Sequence, residues 1–191
     1  MSQMLVMIGK KMRDDRVIMG VFIDLQGRLY DQMPDRPALN KHLDMLARGL
    51  SVLDVPLVVS EQMPEKLGVT SELLRTRLTG ATDIRKSTFS CCGAPAFQSL
   101  LNQLDPHTII LAGIEAHICV YQTALDLLAV GREVWVAADA TASRVPEYRD
   151  YAFDMLRAKG VVVMPVESIL LHALGDAADP QFKKILPLLK G

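Results

Sequence analysis

The chain has 191 residues, half of them hydrophobic and 23% charged, with a net charge of −1 at pH 7. That composition excludes a disordered chain, and the near-zero charge gives no electrostatic basis for binding nucleic acid or an anionic membrane. Three cysteines cannot all pair within one chain, and adjacent Cys91 and Cys92 make poor disulfide partners, so a reducing compartment is expected. The opening stretch, "MSQMLVMIGKKMRDDR", sets a short apolar run before its basic residues, the reverse of a secretory signal. Charges, Gly or Pro interrupt every apolar run before it could span a membrane. A soluble, cytoplasmic protein is the expectation.

In chain order, the first apolar run is "VIMGVFIDL" at 17–25, followed by a helical pattern with Leu39, Leu43, Leu46 and Leu50 on one face. The second run, "VPLVVSE", covers 55–61. Residues 62–85 are less regular, with a short helix expected at 71–78 and Lys86 at the end of another strand. "TIILAGI" at 108–114 leads to a helix in whose first turn Cys119 sits, with Val120, Ala124, Leu127 and Leu128 as its apolar side chains. "EVWVAAD" at 133–139 is followed by a helix on which Tyr148, Ala152, Met155 and the stem of Lys159 share a face, and "VVVMP" at 161–165 closes the series. The runs are continuous rather than alternating, as strands buried on both faces of a parallel sheet must be. Strand and helix alternate throughout. The predicted fold is therefore α/β: a three-layer α/β/α, Rossmann-like arrangement with a mostly parallel central sheet, in a single domain over 1–191.

In such sheets ligands bind at the carboxyl ends of the strands. Asp24, the group Ser60, Glu61 and Gln62, and Lys86 all fall at such ends. Each has an ordinary reading: a strand-end Asp caps a turn, a Lys is solvated, and a lone Cys is a small buried hydrophobe. Cys119 fits that reading less well. Residues three, four and seven positions on are Gln122, Thr123 and Asp126, which put it off the apolar stripe, and a helix N-terminus lowers a thiol's pKa. On residues alone it is either a packed thiol or a nucleophile. Asp139 is expected to brace the following loop and His117 to bond a loop or face solvent, while nothing assigns Cys91 or Cys92 a partner. The four histidines (His42, His107, His117 and His172) have no metal-type spacing, and only Gly27 follows the first strand where a nucleotide or flavin site needs a glycine-rich turn. No metal and no cofactor are expected.

Three separated motifs carry a resemblance. Asp24 in "FIDLQ", Lys86 in "RKSTFS" and Cys119 in "GIEAHICVYQTALDLL" are similar to the Asp–Lys–Cys triad of the isochorismatase-like, or cysteine hydrolase, superfamily. "VVSEQMPEKLGVTSEL", "GIEAHICVYQTALDLLAVGREVWVAADATASR" and "GDAADPQFKKILPLLK" resemble its isochorismatase domain-containing protein branch, and the likeness runs from about residue 17 to residue 190. The resemblance implies that Asp24 takes the thiol proton, Lys86 holds the thiolate and Cys119 attacks. It also implies an oxyanion hole from the backbone N–H groups of Glu115 and Cys119, a cis peptide at Ile114–Glu115, pocket positions at Gln62, Tyr30 and Phe89, and a homo-oligomer. Metal-dependent nicotinamidases of the superfamily carry an Asp-x-His pair after strand two, where this chain has "SEQMPEKLG" and no histidine. True isochorismatases do not need the thiol. The implied activity is hydrolysis of a C–N bond in a small amide, carbamoyl or related molecule, and the alternative is a noncatalytic interaction protein that keeps the fold. With the helix N-terminus and Lys86 favouring the thiolate, against burial and Asp24, Cys119 is expected to alkylate faster than an ordinary thiol.

Overall fold

The computed structural model describes residues 17–190, so the opening stretch read above for a signal, residues 1–16, lies outside the described residues. Six strands form one sheet: β1 (Ile18–Ile23), β2 (Leu57–Gln62), β3 (Thr82–Lys86), β4 (Thr108–Gly113), β5 (Glu133–Thr141) and β6 (Val162–Met164). All neighbours are parallel, in the order β3-β2-β1-β4-β5-β6. Every continuous apolar run becomes a strand, and the strand ending at Lys86 is β3. β1 stops short of its predicted end because Asp24 turns the chain out of the sheet with φ 52°, a left-handed conformation that Asp tolerates. β5 runs two residues further than expected, and a register shift between Leu111 and Gly113 accommodates the extension.

The helices are α1 (Gly27–Asp31), α2 (Arg36–Val52), α3 (Pro64–Leu67), α4 (Glu72–Arg75), α5 (Pro95–Leu104), α6 (Tyr121–Ala129), α7 (Pro146–Ala158), α8 (Val166–Leu174) and α9 (Phe182–Leu189). Side chains alternate along β1: Ile18 and Phe22 pack beneath α2, α8 and α9, whereas Met19, Val21 and Ile23 pack beneath α5, α6 and α7. That double burial makes the three layers.

Leu39, Leu43, Leu46 and Leu50 of α2 are all buried, as their spacing predicts. The face predicted for α7 is wrong. Ala152, Phe153 and Leu156 are buried, whereas Tyr148 and Met155 are 47% and 44% exposed and Lys159 is exposed. Ala152 belongs to both helical rows, and Phe153 with Leu156 makes the bulkier row that the core takes. The helix expected at 71–78 is also shorter. α4 is one turn, after which Leu78 N–H bonds both Leu74 and Arg75 carbonyls, letting Leu74 and Leu78 enter the core from a tight turn.

β1 lies between β2 and β4, and the chain leaves these central strands toward opposite edges of the sheet. The crevice at such a switch point is where an open α/β sheet binds ligands. Gly113 closes β4 there. Its φ is 123°, and a Cβ would stand 2.2 Å from the Ile23 carbonyl oxygen, so only glycine fits between the ends of β1 and β4.

Candidate active site

Asp24 follows β1, and its backbone N–H bonds Ser60 O on β2 at 3.1 Å. Its carboxylate is held at both oxygens: Ser60 Oγ donates to Oδ1 at 2.7 Å and Lys86 Nζ to Oδ2 at 2.6 Å. The side chains of Lys86 and Asp24 are 0% and 1% exposed. Lys86 Nζ also donates to the carbonyls of Thr88, at 3.2 Å, and Phe89, at 3.0 Å, which engages all three of its N–H bonds. A desolvated ion pair survives only when its remaining hydrogen bonds are satisfied, and here they are.

Cys119 does not lie in a first α-helical turn. It lies in a π-helical turn, Ala116–Val120, that precedes α6. Within this wider turn the Glu115 carbonyl accepts the amides of Ile118 and Val120 at 3.1 and 3.2 Å, and the Cys119 amide between them is not engaged there. The Ile114–Glu115 peptide is cis. Ala116 N–H bonds Ala142 O at 2.9 Å, which pins the start of the turn to the end of β5.

The Cys119 thiol is buried, donates to Gln62 Oε1 at 3.6 Å and lies beside the Asp24 carboxylate. Burial pushes its pKa above the ordinary thiol range, the Asp24 charge pushes it further, and Lys86 pulls it down by less. The lowered thiol pKa expected from the helix N-terminus and Lys86 therefore gives way to a raised one in the resting site. Lys86 faces Asp24 directly, so its charge is already neutralised and the sulfur keeps its proton.

The remaining predicted positions separate. Gln62 is half-buried beside the sulfur, and its backbone N–H is fixed by Gln26 Oε1 at 2.7 Å. Tyr30 packs into the core under α2, the opposite core from the one that takes Cys119, and its hydroxyl donates to Asn40. Burial pushes that phenol up to about 12. Phe89 is 52% exposed and reaches the centre through its carbonyl on Lys86. His117 bonds the loop after β5, as expected, with Nδ1 3.0 Å from Ser143 Oγ. Asp139 has a structural bond, but it holds α8, through Val166 N–H at 2.9 Å, rather than the loop.

Three features escaped sequence reasoning. Gln26, wholly buried, ties Gly68 O at 2.6 Å and so fixes the 62–68 segment. The Glu115 side chain, 4% exposed, takes Arg144 Nε at 2.7 Å and Arg144 N–H at 3.2 Å. Ser60 was visible as a strand-end polar residue, yet nothing in the sequence tied its hydroxyl to Asp24. Among the described residues no group of three or more His, Cys, Asp or Glu could hold a metal ion, and no helix is long and apolar enough to cross a membrane.

A buried Asp–Lys pair with a thiol at the β1–β4 switch defines a class, and comparison with known proteins identifies it. The isochorismatase domain model matches residues 19–168. Isochorismatase domain-containing protein 1 of Salmo salar is 38% identical over 162 residues, which is 81% of this chain but only 56% of that protein. Isochorismatase domain-containing protein 2 of Danio rerio is 38% identical over 144 residues, 75% of this chain and 72% of that protein. The structure of MAR1 ribonuclease from Caenorhabditis elegans superposes with a TM-score of 0.86 at 30% identity, covering 92% of this chain and 91% of that one. This chain belongs to the isochorismatase family, with its hydrolase-type α/β fold.

Proposed function

We propose that this chain is a cysteine hydrolase that cleaves a C–N bond of a small amide, carbamoyl or related substrate, with Cys119 as nucleophile. The observation that carries the reading is the buried Cys119 thiol beside Asp24, whose carboxylate takes the buried Lys86 ammonium at 2.6 Å. In the resting site the buried charges are Asp24 carboxylate and Lys86 cation. Moving the proton from Sγ to Asp24 replaces one buried anion by another beside the same cation, so net charge is unchanged. Such a transfer costs far less than ionising an isolated buried thiol.

The thiolate then attacks the substrate carbonyl carbon, and the C=O pair moves onto oxygen. In this reading the backbone N–H groups of Glu115 and Cys119 stabilise that oxyanion. Asp24 returns its proton to the nitrogen, the C–N bond breaks and the amine departs, leaving a thioester. Water, deprotonated by Asp24, resolves the thioester to acid and free thiol. Gln62 contacts the sulfur and orients the incoming group, and Tyr30, packed in the opposite core, drops out of the pocket set.

A net charge of −1 and a nearly enclosed thiol favour a small molecule over a polyanion, although the nematode relative is named a ribonuclease. A noncatalytic interaction protein would have no use for a desolvated Asp–Lys pair, which apolar residues could replace at little or no cost. Homo-oligomeric assembly and a cytoplasmic location belong to the same reading, with light scattering and cell fractionation as their tests. The decisive experiment screens a small-amide and carbamoyl library for amine release. Turnover is expected from the native protein, together with a Cys119 acyl adduct in intact-mass spectra, and none from Cys119→Ala. Turnover that survives Cys119→Ala overturns the reading.

A further inference from the structure

Only one oxygen of Asp24 is committed to Lys86. The other, Oδ1, receives the Ser60 hydroxyl at 2.7 Å, and Ser60 has no exposed surface. Backbone geometry sets this contact. Ile23 and Ser60 are register partners in adjacent strands, and Asp24 N–H bonds Ser60 O, so the hydroxyl is delivered by the sheet itself.

A serine hydroxyl has one proton. Once that proton goes to Asp24, Ser60 Oγ can only accept, and in a site closed to water it needs a buried donor. Cys91 is the neighbour that can supply one: its thiol, without exposed surface, lies beside the Ser60 and Thr123 hydroxyls. Burial pushes the Cys91 thiol up, so it keeps at neutral pH the proton that the Ser60 oxygen can accept. Cys91 is fixed in turn, because its N–H bonds Thr123 Oγ1 at 3.0 Å and Thr123 lies four residues beyond Cys119. A buried chain thus runs from the helix that follows the nucleophile, through Cys91 and Ser60, to the far oxygen of the acid.

We propose that Ser60 is a positioning residue for Asp24 in the proton transfer from Cys119, and that Cys91 fixes the direction of the Ser60 hydroxyl. The inference rests on the proposed function and adds two residues to it. With Oδ1 anchored, the carboxylate cannot turn both oxygens onto Lys86, and it stays in line with the thiol. Without the anchor, the carboxylate chelates the ammonium and the thiol loses its proton acceptor.

The test follows alkylation of Cys119 by acrylamide at pH 8, with peptide mapping to assign the adduct and thermal melts to establish folding. Ser60→Ala should label about tenfold more slowly than the native protein, the scale of one buried hydrogen bond to a charged group. Ser60→Thr, which keeps the donor, should stay within about threefold of native, an outcome that lost packing alone would not give. Cys91→Ala should lose about threefold, and Ser60→Ala with Cys91→Ala should be no slower than Ser60→Ala, because Cys91 acts through Ser60. Native or faster labelling in Ser60→Ala, or multiplying losses in the double variant, overturns the proposal. Should Ser60→Ala not fold, Cys91→Ser against Cys91→Ala reads the same point, since only serine keeps an O–H donor, and equal rates overturn it. Asp24→Asn separates the two levels. If it leaves Cys119 labelling unchanged, the proposed function itself falls; if it slows labelling while Ser60→Ala does not, only the role of Ser60 falls.

Discussion

Two buried carboxylates lie close along the chain to Cys119 or beside its thiol, and each is paired with a cation under different conditions. Asp24 meets Lys86 with both side chains out of water, whereas Glu115, equally enclosed, meets an Arg144 whose side chain is 49% exposed. The first pair answers only to the protein: its hydrogen-bond partners are a hydroxyl and two carbonyls, with a thiol beside it. The second answers partly to solvent, and what it fixes is backbone, through Arg144 N–H on the carboxylate at 3.2 Å. A charge sealed from water can change its proton with its neighbours. A charge with a hydrated partner serves better as a brace.

That contrast fails most visibly if removing the Lys86 ammonium costs little. Lys86→Met strands a carboxylate in the core, and urea unfolding should register a loss of about 3–5 kcal/mol. Combining it with Asp24→Asn should recover much of that loss, because a neutral amide no longer needs the cation. Glu115→Gln tests the other member. It keeps the shape and can still accept from Arg144 N–H, and Arg144 can turn to water, so about 1.5–3 kcal/mol is expected by the same measurement.

A smaller effect comes from pH. Burial holds the Cys91 and Cys119 thiols above their ordinary range and pushes Cys92 up to about 12. Above about pH 8.5 the unfolded chain therefore loses thiol protons that the folded chain keeps, and stability falls as pH rises. Cys119→Ala should flatten that decline by about 1 kcal/mol between pH 8 and pH 9.5, as read from unfolding midpoints. Smallest of all is Arg75–Asp83, a pair open to solvent on both sides. Its hydrogen bonds from Arg75 depress the Asp83 pKa, so its contribution is complete above the ordinary carboxylate range and disappears as pH falls through the depressed value. Asp83→Asn should cost no more than about 1 kcal/mol at neutral pH and nothing in acid.

The sheet was legible in the sequence because strands covered on both faces leave unbroken apolar runs, and each such run became a strand. α2 was legible because its leucine row has no competitor. On α7 two rows share Ala152, and the choice between Tyr148–Met155 and Phe153–Leu156 depended on a partner surface the local pattern does not contain. The π turn escaped because Cys119 has the same sequence neighbours whichever turn it adopts. The sign of the Cys119 shift escaped for a different reason. Lys86 was placed correctly at a strand end, but whether its charge faces sulfur or carboxylate is decided by 2.6 Å geometry between residues far apart in the chain. Ser60 looked like a strand terminus and became a partner of Asp24 only when β1 and β2 set their register.

The strand order has one more consequence. Asp24, Gln62, Lys86 and Cys119 each follow or end a different strand, β1, β2, β3 and β4, and these are neighbours only in the finished sheet. No fragment that lacks any of β1 to β4 carries the centre. A nascent chain that has made only β1 to β3 has an acid and an ammonium but no sulfur to serve, and an excised piece with β4 and the π turn presents Cys119 as an ordinary thiol. Reactivity at this cysteine is thus a report on assembly of these four strands, and it should switch between its ordinary and its protected form in step with their pairing rather than with any one helix.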